Sequence, residues 1–469
     1  MNKPFSPVFF FGLIVSCLLP HAVFTQQNPA PATLASLQQK FVDLQFGMFI
    51  HYNIPTYMDD DWADPDASPA IFNPKKLDCD QWAKAAKSAK MTYGCLTTKH
   101  HSGFAIWDTK TTDYNVMNSP LKRDVVKEFT DAFRRNGLHV MLYFSILDTH
   151  HKLRPHQITP KHIDMIKAQL TELLTKYGRI DALIIDGWDA PWSRISYDEV
   201  PFEDLYTLVK SLQPECLVMD LNAAKYPAEA LYYTDIKSYE QNAGQHISSE
   251  QNTLPALSCY PLQENWFWKP SFPKAKLKDP EKLVNENIIP FNKAYCNYIL
   301  NVAPNRDGLI DDNALTALKE IGRLWKNPGE KGKLPPADAP IISSNIAKNV
   351  PSNSSWSDDM NIMDFANDDK FSTSWISNRA VKNPWYEVVF ERDKPFNMIV
   401  VAENKSNIGS YTLEYEANGV WKTVFTGTNE KPIKIHRFDR VWGHKVRIRI
   451  DRSKEPASIA EFGVFNERR

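Results

Sequence analysis

The sequence predicts an α/β fold, a (β/α)8-like TIM barrel, followed by an all-β sandwich domain. From about residue 33 to residue 335, short apolar runs typical of buried strands alternate with amphipathic stretches of helical period. Strict alternation of this kind indicates a parallel sheet, and so many repeats favour its closure into a barrel. Beyond residue 340 the pattern changes to short strands separated by turn residues. A chain of 469 residues has room for both domains.

Residues 1–25 are predicted to be a secretory leader outside the fold. Lys3 supplies a positive start, and the apolar run at residues 8–19 is too short to span a bilayer. Cleavage after Thr25 predicts a secreted or periplasmic protein. The residues up to Cys17 also resemble a lipobox, so a second interpretation is an outer-membrane form anchored through that lipidated cysteine. No other run is long and apolar enough for a transmembrane span.

The barrel domain is expected over residues 26–335. Five apolar runs in it are predicted to be strands: residues 46–51, 91–98, 139–145, 182–186 and 216–221. Four stretches have helical spacing: residues 79–90, 124–136, 160–177 and 200–213. Gly137 and Gly178 directly follow two of these helices, as C-cap glycines do.

The second domain is expected over residues 340–469, after a linker at residues 327–339 that is rich in proline, glycine and lysine. Its predicted strands are short and are separated by turn residues, which is typical of a β-sandwich. They cover residues 385–390, 398–403, 411–416, 420–426 and 446–450.

Charge and cysteine content exclude several classes of protein. A formal net charge of −1 creates no long-range field, so nucleic acid and anionic membranes are not expected partners. Five of the six cysteines lie outside the leader, widely scattered and without a Cys-x-x-Cys pair, which argues against a disulfide framework or a zinc knuckle. An aromatic content of 12% suits a carbohydrate cleft, and it suits a large core equally.

Polar side chains stand at the ends of two predicted strands. His100 and His101 follow the strand at residues 91–98, and Asp186 ends a later strand. Because (β/α) barrels carry their active sites at the C-terminal ends of strands, these side chains are expected to meet. Imidazoles that can bind hydroxyls, beside a carboxylate that can act as a nucleophile, predict a glycosidase pocket. Adjacent histidines on an extended chain point in opposite directions, so we predict no metal, and no cofactor is needed.

Several motifs resemble, in the right order, those of the α-L-fucosidases of glycoside hydrolase family 29. They lie at residues 72–82, 99–104, 112–116 and 301–308. The resemblance covers roughly residues 33–327 and is closest to the subgroup that acts on α-1,3- and α-1,4-linked branch fucose. It implies a retaining exo-α-L-fucosidase that releases terminal fucose from oligosaccharides or glycoproteins through a covalent glycosyl-enzyme intermediate. The sequence does not decide whether the protein forms a homo-oligomer.

Residues 368–375 resemble the opening of the discoidin-like modules of coagulation factors, the F5/8 type C domains. This resemblance implies that the second domain binds carbohydrate. A purely structural sandwich that buttresses the barrel is the alternative.

The family resemblance implies roles for individual carboxyl groups. Asp186 matches the nucleophile, and a retaining glycosidase needs a second carboxyl group as acid and then base. Glu240, in the loop at residues 235–241, matches the loop that carries this acid/base. Glu264, before a run of aromatic residues, is its rival, and Glu250 is a third candidate.

Further residues match the family's sugar-binding positions or are candidate walls of the pocket. They are His51, Asp61, Trp62, His100, His101, Tyr143, Trp188, Trp192, Lys237, Trp266 and Trp268. Three positions depart from the family pattern: Asp61 replaces glutamate, Ser102 replaces aspartate and Ile184 replaces an aromatic residue. These departures keep two alternatives open, a catalytically inactive fucose-binding protein and an exo-hydrolase of a similar sugar such as α-L-galactose.

Overall fold

The structure, a computed structural model, describes residues 1, 4–5, 32–247, 252–327 and 332–468. Apart from three residues at the N-terminus, the predicted leader lies outside these ranges, as do Cys17 and Glu250. Within the described ranges, no helix is both long and apolar enough to cross a bilayer.

Eight parallel strands form a nearly closed barrel, as the sequence predicted. The strands are β1 (Phe46–Ile50), β2 (Tyr93–Lys99), β3 (His139–Ser145), β4 (Ala182–Asp186), β5 (Leu217–Asp220), β6 (Lys237–Glu240), β7 (Ala256–Pro261) and β8 (Cys296–Asn301). Apart from β5 and β6, each strand pairs with its sequence neighbours, and β1 pairs with both β2 and β8. The five strands predicted from the sequence coincide with β1–β5 to within two residues at each end.

Helices connect the strands and cover the outside of the barrel. They are α1 (Leu34–Leu44), α2 (Cys79–Ser88), α3 (Val125–Arg135), α4 (Pro160–Lys176), α5 (Phe202–Leu212), α6 (Pro280–Lys282), α7 (Ile289–Lys293) and α8 (Asp312–Leu324). The segment Leu283–Ile288, between α6 and α7, is a π-helix. Asp78 and Asp124 cap α2 and α3 by accepting main-chain N–H groups, which explains why these helices begin where the sequence predicts.

The barrel has one seam, between β5 and β6, where the described residues form no backbone ladder. One backbone hydrogen bond, from the Asp235 N–H to the Val218 carbonyl at 2.7 Å, and two side chains connect the strands there. The Asp235 carboxylate accepts the Val218 main-chain N–H at 2.9 Å, and the Thr234 hydroxyl accepts that of Asp220 at 3.3 Å. Every other pair of neighbouring strands is joined by a parallel ladder.

The N-terminal helix α1 closes the bottom of the barrel. Its residues Leu37, Phe41 and Val42 belong to the same buried cluster as inward-facing strand residues such as Phe49 and Tyr143. Burial of these apolar side chains fills the barrel interior below the C-terminal ends of the strands. The five cysteines of the described ranges are buried free thiols.

An antiparallel β domain follows the barrel, in agreement with the sequence. Five strands form the path of the main sheet, in the order β13–β12–β14–β11–β16, while β9 pairs with β11, and β10 and β15 form a separate pair. The strands are β9 (Ser352–Ser354), β10 (Trp375–Ile376), β11 (Trp385–Ala402), β12 (Ile408–Ala417), β13 (Val420–Thr428), β14 (Ile433–Ser453), β15 (Ser458–Ile459) and β16 (Glu461–Phe465). The runs predicted as separate strands at residues 385–390 and 398–403 are one strand, β11, whose pairing shifts register between them.

The two domains share a core. Met398, Val400 and Phe465 of the β domain belong to the same buried cluster as the outer apolar residues of the barrel. The chain between the domains also pairs with the barrel, because the Tyr233 main-chain N–H donates to the Ile341 carbonyl at 2.8 Å. One face of the β domain is therefore packed on the barrel, on the side of the seam.

Candidate active site

A cavity of about 210 Å3 opens at the C-terminal ends of the barrel strands. This volume lies below that of pockets for drug-sized ligands, so the cavity suits a small ligand such as one sugar ring. All its lining residues except Phe49 and Leu221 are residues to which the sequence pointed. They are Phe49, His51, Asp61, Trp62, His100, His101, Tyr143, Asp186, Trp192, Leu221, Glu240 and Trp266.

Asp186, the last residue of β4, presents a buried carboxylate to this cavity. The Tyr143 hydroxyl donates to its Oδ2 at 2.6 Å, and the Asn222 side-chain amide donates to its Oδ1 at 2.8 Å. Burial raises the pKa of Asp186 above its ordinary value, and these two hydrogen bonds oppose that rise. Each carboxylate oxygen is thus held by a donor that favours the ionised form.

Glu240, the last residue of β6, lines the same cavity. Burial and, to a lesser extent, the charge of Asp186 raise its pKa to about 7, against the effect of a hydrogen bond from the Trp266 side chain. A carboxyl group with this pKa can hold a proton at neutral pH and release it during a reaction. The structure therefore brings together the two carboxyl groups that the resemblance pairs.

The three cavity histidines are uncharged at neutral pH. Burial lowers the pKa of His51 and of His101 to about 3, and burial lowers that of His100 well below its ordinary value. An uncharged imidazole donates one hydrogen bond and accepts another, which suits the recognition of sugar hydroxyls.

Fixed partners determine which nitrogen of His51 carries the proton. The Asn301 amide donates to the Trp266 carbonyl at 2.7 Å, so its Oδ1 faces His51 and accepts from Nδ1 at 2.8 Å. The Nε2 of His51 is left as an acceptor.

His101 also carries its proton on Nδ1. The Ser145 hydroxyl donates to the Leu147 carbonyl at 2.9 Å, so it accepts from His101 Nδ1 at 2.8 Å. Nε2 of His101 then lies as an acceptor 3.8 Å from Oδ2 of Asp186.

Two glycines allow the backbone to present these groups. Gly103 follows the histidine pair at a φ of +87°, and a Cβ there would lie 2.1 Å from Oδ1 of Asp148. Gly187 follows Asp186 at a φ of +117°, and a Cβ there would lie 2.8 Å from Ile146. Only glycine combines this conformation with such close approach, so both positions are constrained by the site.

Aromatic rings form the mouth of the cavity. Trp62 stacks on His101 with centroids 5.1 Å apart, and its edge meets Trp192 at 5.5 Å. These two indoles are 47% and 39% exposed, so they present apolar surface to a ligand that enters the cavity. Trp266 packs beside His51 on another wall, and its main-chain N–H donates to Asp61 at 3.3 Å.

Several predicted residues lie outside the cavity. Trp188 is buried against Tyr197 and donates its indole N–H to the Val200 carbonyl, so it is a core residue. Because side chains alternate along a strand, Lys237 of β6 points away from the face of Glu240, and it donates to the Tyr226 carbonyl at 2.8 Å.

Glu264 and Trp268 also lie away from the cavity. Glu264 is exposed and is not a lining residue. Trp268 donates its indole N–H to Asp311 at 2.7 Å, and it packs with Phe272 in a separate small cluster. The structure therefore favours Glu240 over Glu264 as the partner of Asp186.

Three supporting residues escaped the sequence analysis: Asn222, Asn301 and Ser145. Asn301 and Ser145 end strands and Asn222 lies two residues beyond one, and the same position relative to a strand pointed to the histidine pair. Ser102, which replaces the family's aspartate, is buried, and its hydroxyl makes no hydrogen bond among the described residues. Among the described residues, no group of three or more His, Cys, Asp or Glu side chains is placed to hold a metal ion.

Comparisons with known proteins identify the families to which the two domains are similar. The family model for alpha-L-fucosidase matches residues 57–330, and that for the F5/8 type C domain matches residues 345–462. The chain is 27% identical to alpha-L-fucosidase 1 of Arabidopsis thaliana over 100% of its length and 95% of that protein. It is 26% identical to a putative alpha-L-fucosidase 1 of Oryza sativa over 97% of its length and 91% of that protein.

Solved structures show the same fold. An alpha-L-fucosidase isoenzyme 1 from Paenibacillus thiaminolyticus aligns with 89% of this chain and 99% of its own at a TM-score of 0.53 and 22% identity. A glycoside hydrolase 29 family member from a rumen bacterium aligns with 93% of this chain and 77% of its own at a TM-score of 0.53 and 23% identity. The match of the family model over more than half of the chain shows that this protein belongs to the α-L-fucosidases of glycoside hydrolase family 29 and carries a C-terminal F5/8 type C domain.

Proposed function

We propose that this protein is a retaining exo-α-L-fucosidase in which Asp186 is the nucleophile and Glu240 is the acid/base. The observation that supports this most strongly is the pairing of two carboxyl groups in one small cavity, Asp186 held by two donors and Glu240 with a pKa raised to about 7. Such a difference in environment is how glycosidases divide the roles of two carboxyl groups.

In the first step, a carboxylate oxygen of Asp186 attacks the anomeric carbon of fucose. The bond to the leaving oxygen breaks, and Glu240 gives its proton to that oxygen. In the second step, Glu240 takes a proton from water, and the resulting hydroxide displaces Asp186 from the sugar. The sugar regains its original configuration after two inversions, and both carboxyl groups return to their starting states.

The neutral histidines fit the role of binding sugar hydroxyls. Nε2 of His51 and Nε2 of His101 are free to accept hydrogen bonds, because their Nδ1 atoms donate to Asn301 and Ser145. The cavity has a volume suited to one sugar ring, which supports the removal of a terminal residue rather than cleavage within a chain. We extend the proposal to α-1,3- and α-1,4-linked branch fucose as the substrate, on the motifs described above, and to a secreted or periplasmic location of the protein, on the predicted leader.

Fucose release from α-1,2-, α-1,3- and α-1,4-fucosylated oligosaccharides tests the proposal directly. We expect the wild type to release fucose from the α-1,3- and α-1,4-linked compounds, and Asp186→Asn to release none. Bound fucose without release from any compound would instead support a fucose-binding protein. Full activity of Asp186→Asn would show that the nucleophile is elsewhere.

A matched pair of variants tests the acid/base. Glu240→Gln removes the proton donor, so we expect the rate on natural oligosaccharides to fall about 100- to 10,000-fold. Glu264→Gln, at the exposed rival position, should leave the rate unchanged. The opposite result would assign the acid/base to Glu264 and would require its loop to move into the cavity.

A further inference from the structure

A second buried carboxyl group, Asp220, lies directly behind Asp186. It is the last residue of β5, its side chain is fully buried, and β5 pairs with β4 so that Asp220 stands opposite Ile185. It lines no wall of the cavity, so it does not meet the substrate.

Hydrogen bonds connect Asp220 to the nucleophile through one residue. Oδ1 of Asp220 accepts the main-chain N–H of Asn222 at 2.8 Å, which fixes a tight turn at the end of β5. The side-chain amide of Asn222 then donates to Oδ1 of Asp186, also at 2.8 Å. Oδ2 of Asp220 is hydrogen-bonded to the Tyr197 hydroxyl, which keeps the carboxyl group from rotating away from Asn222.

We propose that Asp220 is a positioning residue for hydrolysis, which holds the Asn222 amide against the nucleophile. The inference rests on the proposed role of Asp186. By fixing the Asn222 turn, Asp220 keeps a donor directed at one oxygen of Asp186 while Tyr143 binds the other. The nucleophile therefore presents its carboxylate to the sugar in one orientation through both steps.

The electrostatics of the pair fit this role. Burial first, and the charge of Asp186 as a smaller effect, raise the pKa of Asp220 to about 8. At neutral pH the protonated form prevails, so Asp220 places no second negative charge behind the nucleophile. A permanently ionised group there would oppose the ionisation of Asp186.

Asp235 provides a matched control. It is also fully buried at the β5–β6 seam, accepts a tyrosine hydroxyl (that of Tyr206, at 3.0 Å), and accepts a main-chain N–H from β5. Asp235 differs from Asp220 in that its Oδ2 also pairs with Lys210 Nζ at 2.9 Å. Its hydrogen bonds do not lead to Asp186. A general requirement for buried carboxyl groups at the seam would affect both residues, whereas a positioning role affects only Asp220.

The test compares kcat and KM for fucose release by Asp220→Leu, Asp220→Asn, Asn222→Ala, the double variant Asp220→Leu/Asn222→Ala and Asp235→Leu. Leucine has a similar shape and needs no hydrogen-bond partner, so the core stays filled. Asparagine keeps the acceptor for the Asn222 N–H. If Asp220→Leu does not fold, as judged by circular dichroism, Asp220→Ala takes its place.

We expect Asp220→Leu to lower kcat about 10- to 100-fold with little change in KM, because the loss falls on the reacting group and not on sugar binding. Asp220→Asn should recover most of the rate. The double variant should be no slower than Asn222→Ala alone, because both changes remove one and the same hydrogen bond to Asp186. Asp235→Leu should keep the wild-type kcat.

Equal losses in Asp220→Leu and Asp235→Leu would overturn the inference, as would a double variant whose loss is the product of the two single losses. Asp186→Asn, measured in parallel, separates this failure from failure of the proposed function. An inactive Asp186→Asn together with a fully active Asp220→Leu would contradict only the positioning role of Asp220. An active Asp186→Asn would remove the basis of both.

Discussion

At the scale of single residues, the cavity places two chemically similar carboxyl groups in different environments. Asp186 and Glu240 are both partly shielded carboxyl groups, but Asp186 receives two strong donors, while Glu240 receives one and lies in the field of the Asp186 charge. Burial raises the pKa of both groups, but the donors to Asp186 oppose that rise, whereas the Asp186 charge adds to it at Glu240. The order of the two ionisations should therefore be visible in the enzyme's response to pH.

We expect kcat/KM for fucose release to follow a bell-shaped curve. Activity should fall above about pH 7, because Glu240, whose pKa is raised to about 7, loses the proton that it must donate. It should fall again at low pH, where Asp186 becomes protonated. A pH profile on a natural oligosaccharide checks this, and a rate that stays constant up to pH 9 would contradict the role of Glu240.

Tyr143→Phe should shift only one side of that curve. The variant removes the donor to Oδ2 of Asp186, and loss of a hydrogen bond to the ionised form raises the pKa of a carboxyl group. The acid limb should move to higher pH by about one unit, while the alkaline limb stays in place. A shift of the alkaline limb instead would place Tyr143 closer in function to Glu240.

The sequence identified most cavity residues because they stand in motifs at the ends of strands. His51, His100 and Asp186 are examples, and each lies where it was expected. Lys237 and Trp188 could not be excluded from the sequence, because whether a side chain faces the cavity or the core depends on strand register and on loop packing. Asn222 carries no motif, so its bond to Asp186 required the structure.

At the scale of elements, a buried ion pair supports the histidine loop. Lys99 and Asp148 are both fully buried, with Nζ 3.2 Å from Oδ2, and Lys99 also donates to Gln169 at 2.9 Å. Asp148 packs against Gly103, and the residue after it, Thr149, donates its main-chain N–H to the His101 carbonyl at 2.8 Å. The pair thus fixes the loop that carries both histidines.

Lys99→Met should destabilise the protein strongly. It takes the Lys99 cation from the buried Asp148 carboxylate, which within the described ranges keeps only the ring and main-chain N–H of His151, both at 2.9 Å. Breaking a buried pair on one side costs about 3–5 kcal/mol in the free energy of unfolding. The double variant Lys99→Met/Asp148→Asn removes both charges and should recover part of this loss. Denaturant unfolding measures both values, and a double variant less stable than Lys99→Met would contradict the explanation.

Elements differ in how far the sequence predicts them. Strands β1–β5 are apolar and long enough to stand out, and capping residues mark the helices between them. The short strand β6 begins with Lys237 and Ser238, which are buried polar residues, so no apolar run marks it. The π-helical turn at Leu283–Ile288 likewise breaks the period that would have indicated a helix. The positions of β6 and of this π-helical turn follow from the closure of the barrel and not from the local conformational preferences of their residues.

At the scale of the whole molecule, the second domain is joined to the barrel by more than a linker. Arg468, beyond β16, forms an ion pair with Asp204 of α5 at 2.7 Å, and its main-chain N–H donates to the Glu203 carboxylate at 2.8 Å. The shared core adds Met398, among others. These contacts fit the alternative in which the domain buttresses the barrel, while its binding of carbohydrate stays a prediction.

We expect the intact protein to unfold in a single calorimetric transition. A fragment that ends at residue 340 would expose the barrel surface that Val400 and Phe465 cover, so it should lose both folded structure and fucosidase activity. Circular dichroism and the release assay on the fragment check this. Two separate transitions, or an active fragment, would show that the barrel folds alone.

The seam between β5 and β6 has a consequence for local motion. Amide protons within β2 and β3 are protected by backbone ladders on both sides, whereas those at the outer edge of β5 depend on Asp235 and Thr234 side chains. In heavy water, the amides along this edge should therefore exchange for deuterium earlier than those of β2 and β3. The part of the barrel that opens first would then lie one strand away from Asp186. Deuterium uptake along β5 would therefore report local opening of the active-site wall in the absence of substrate.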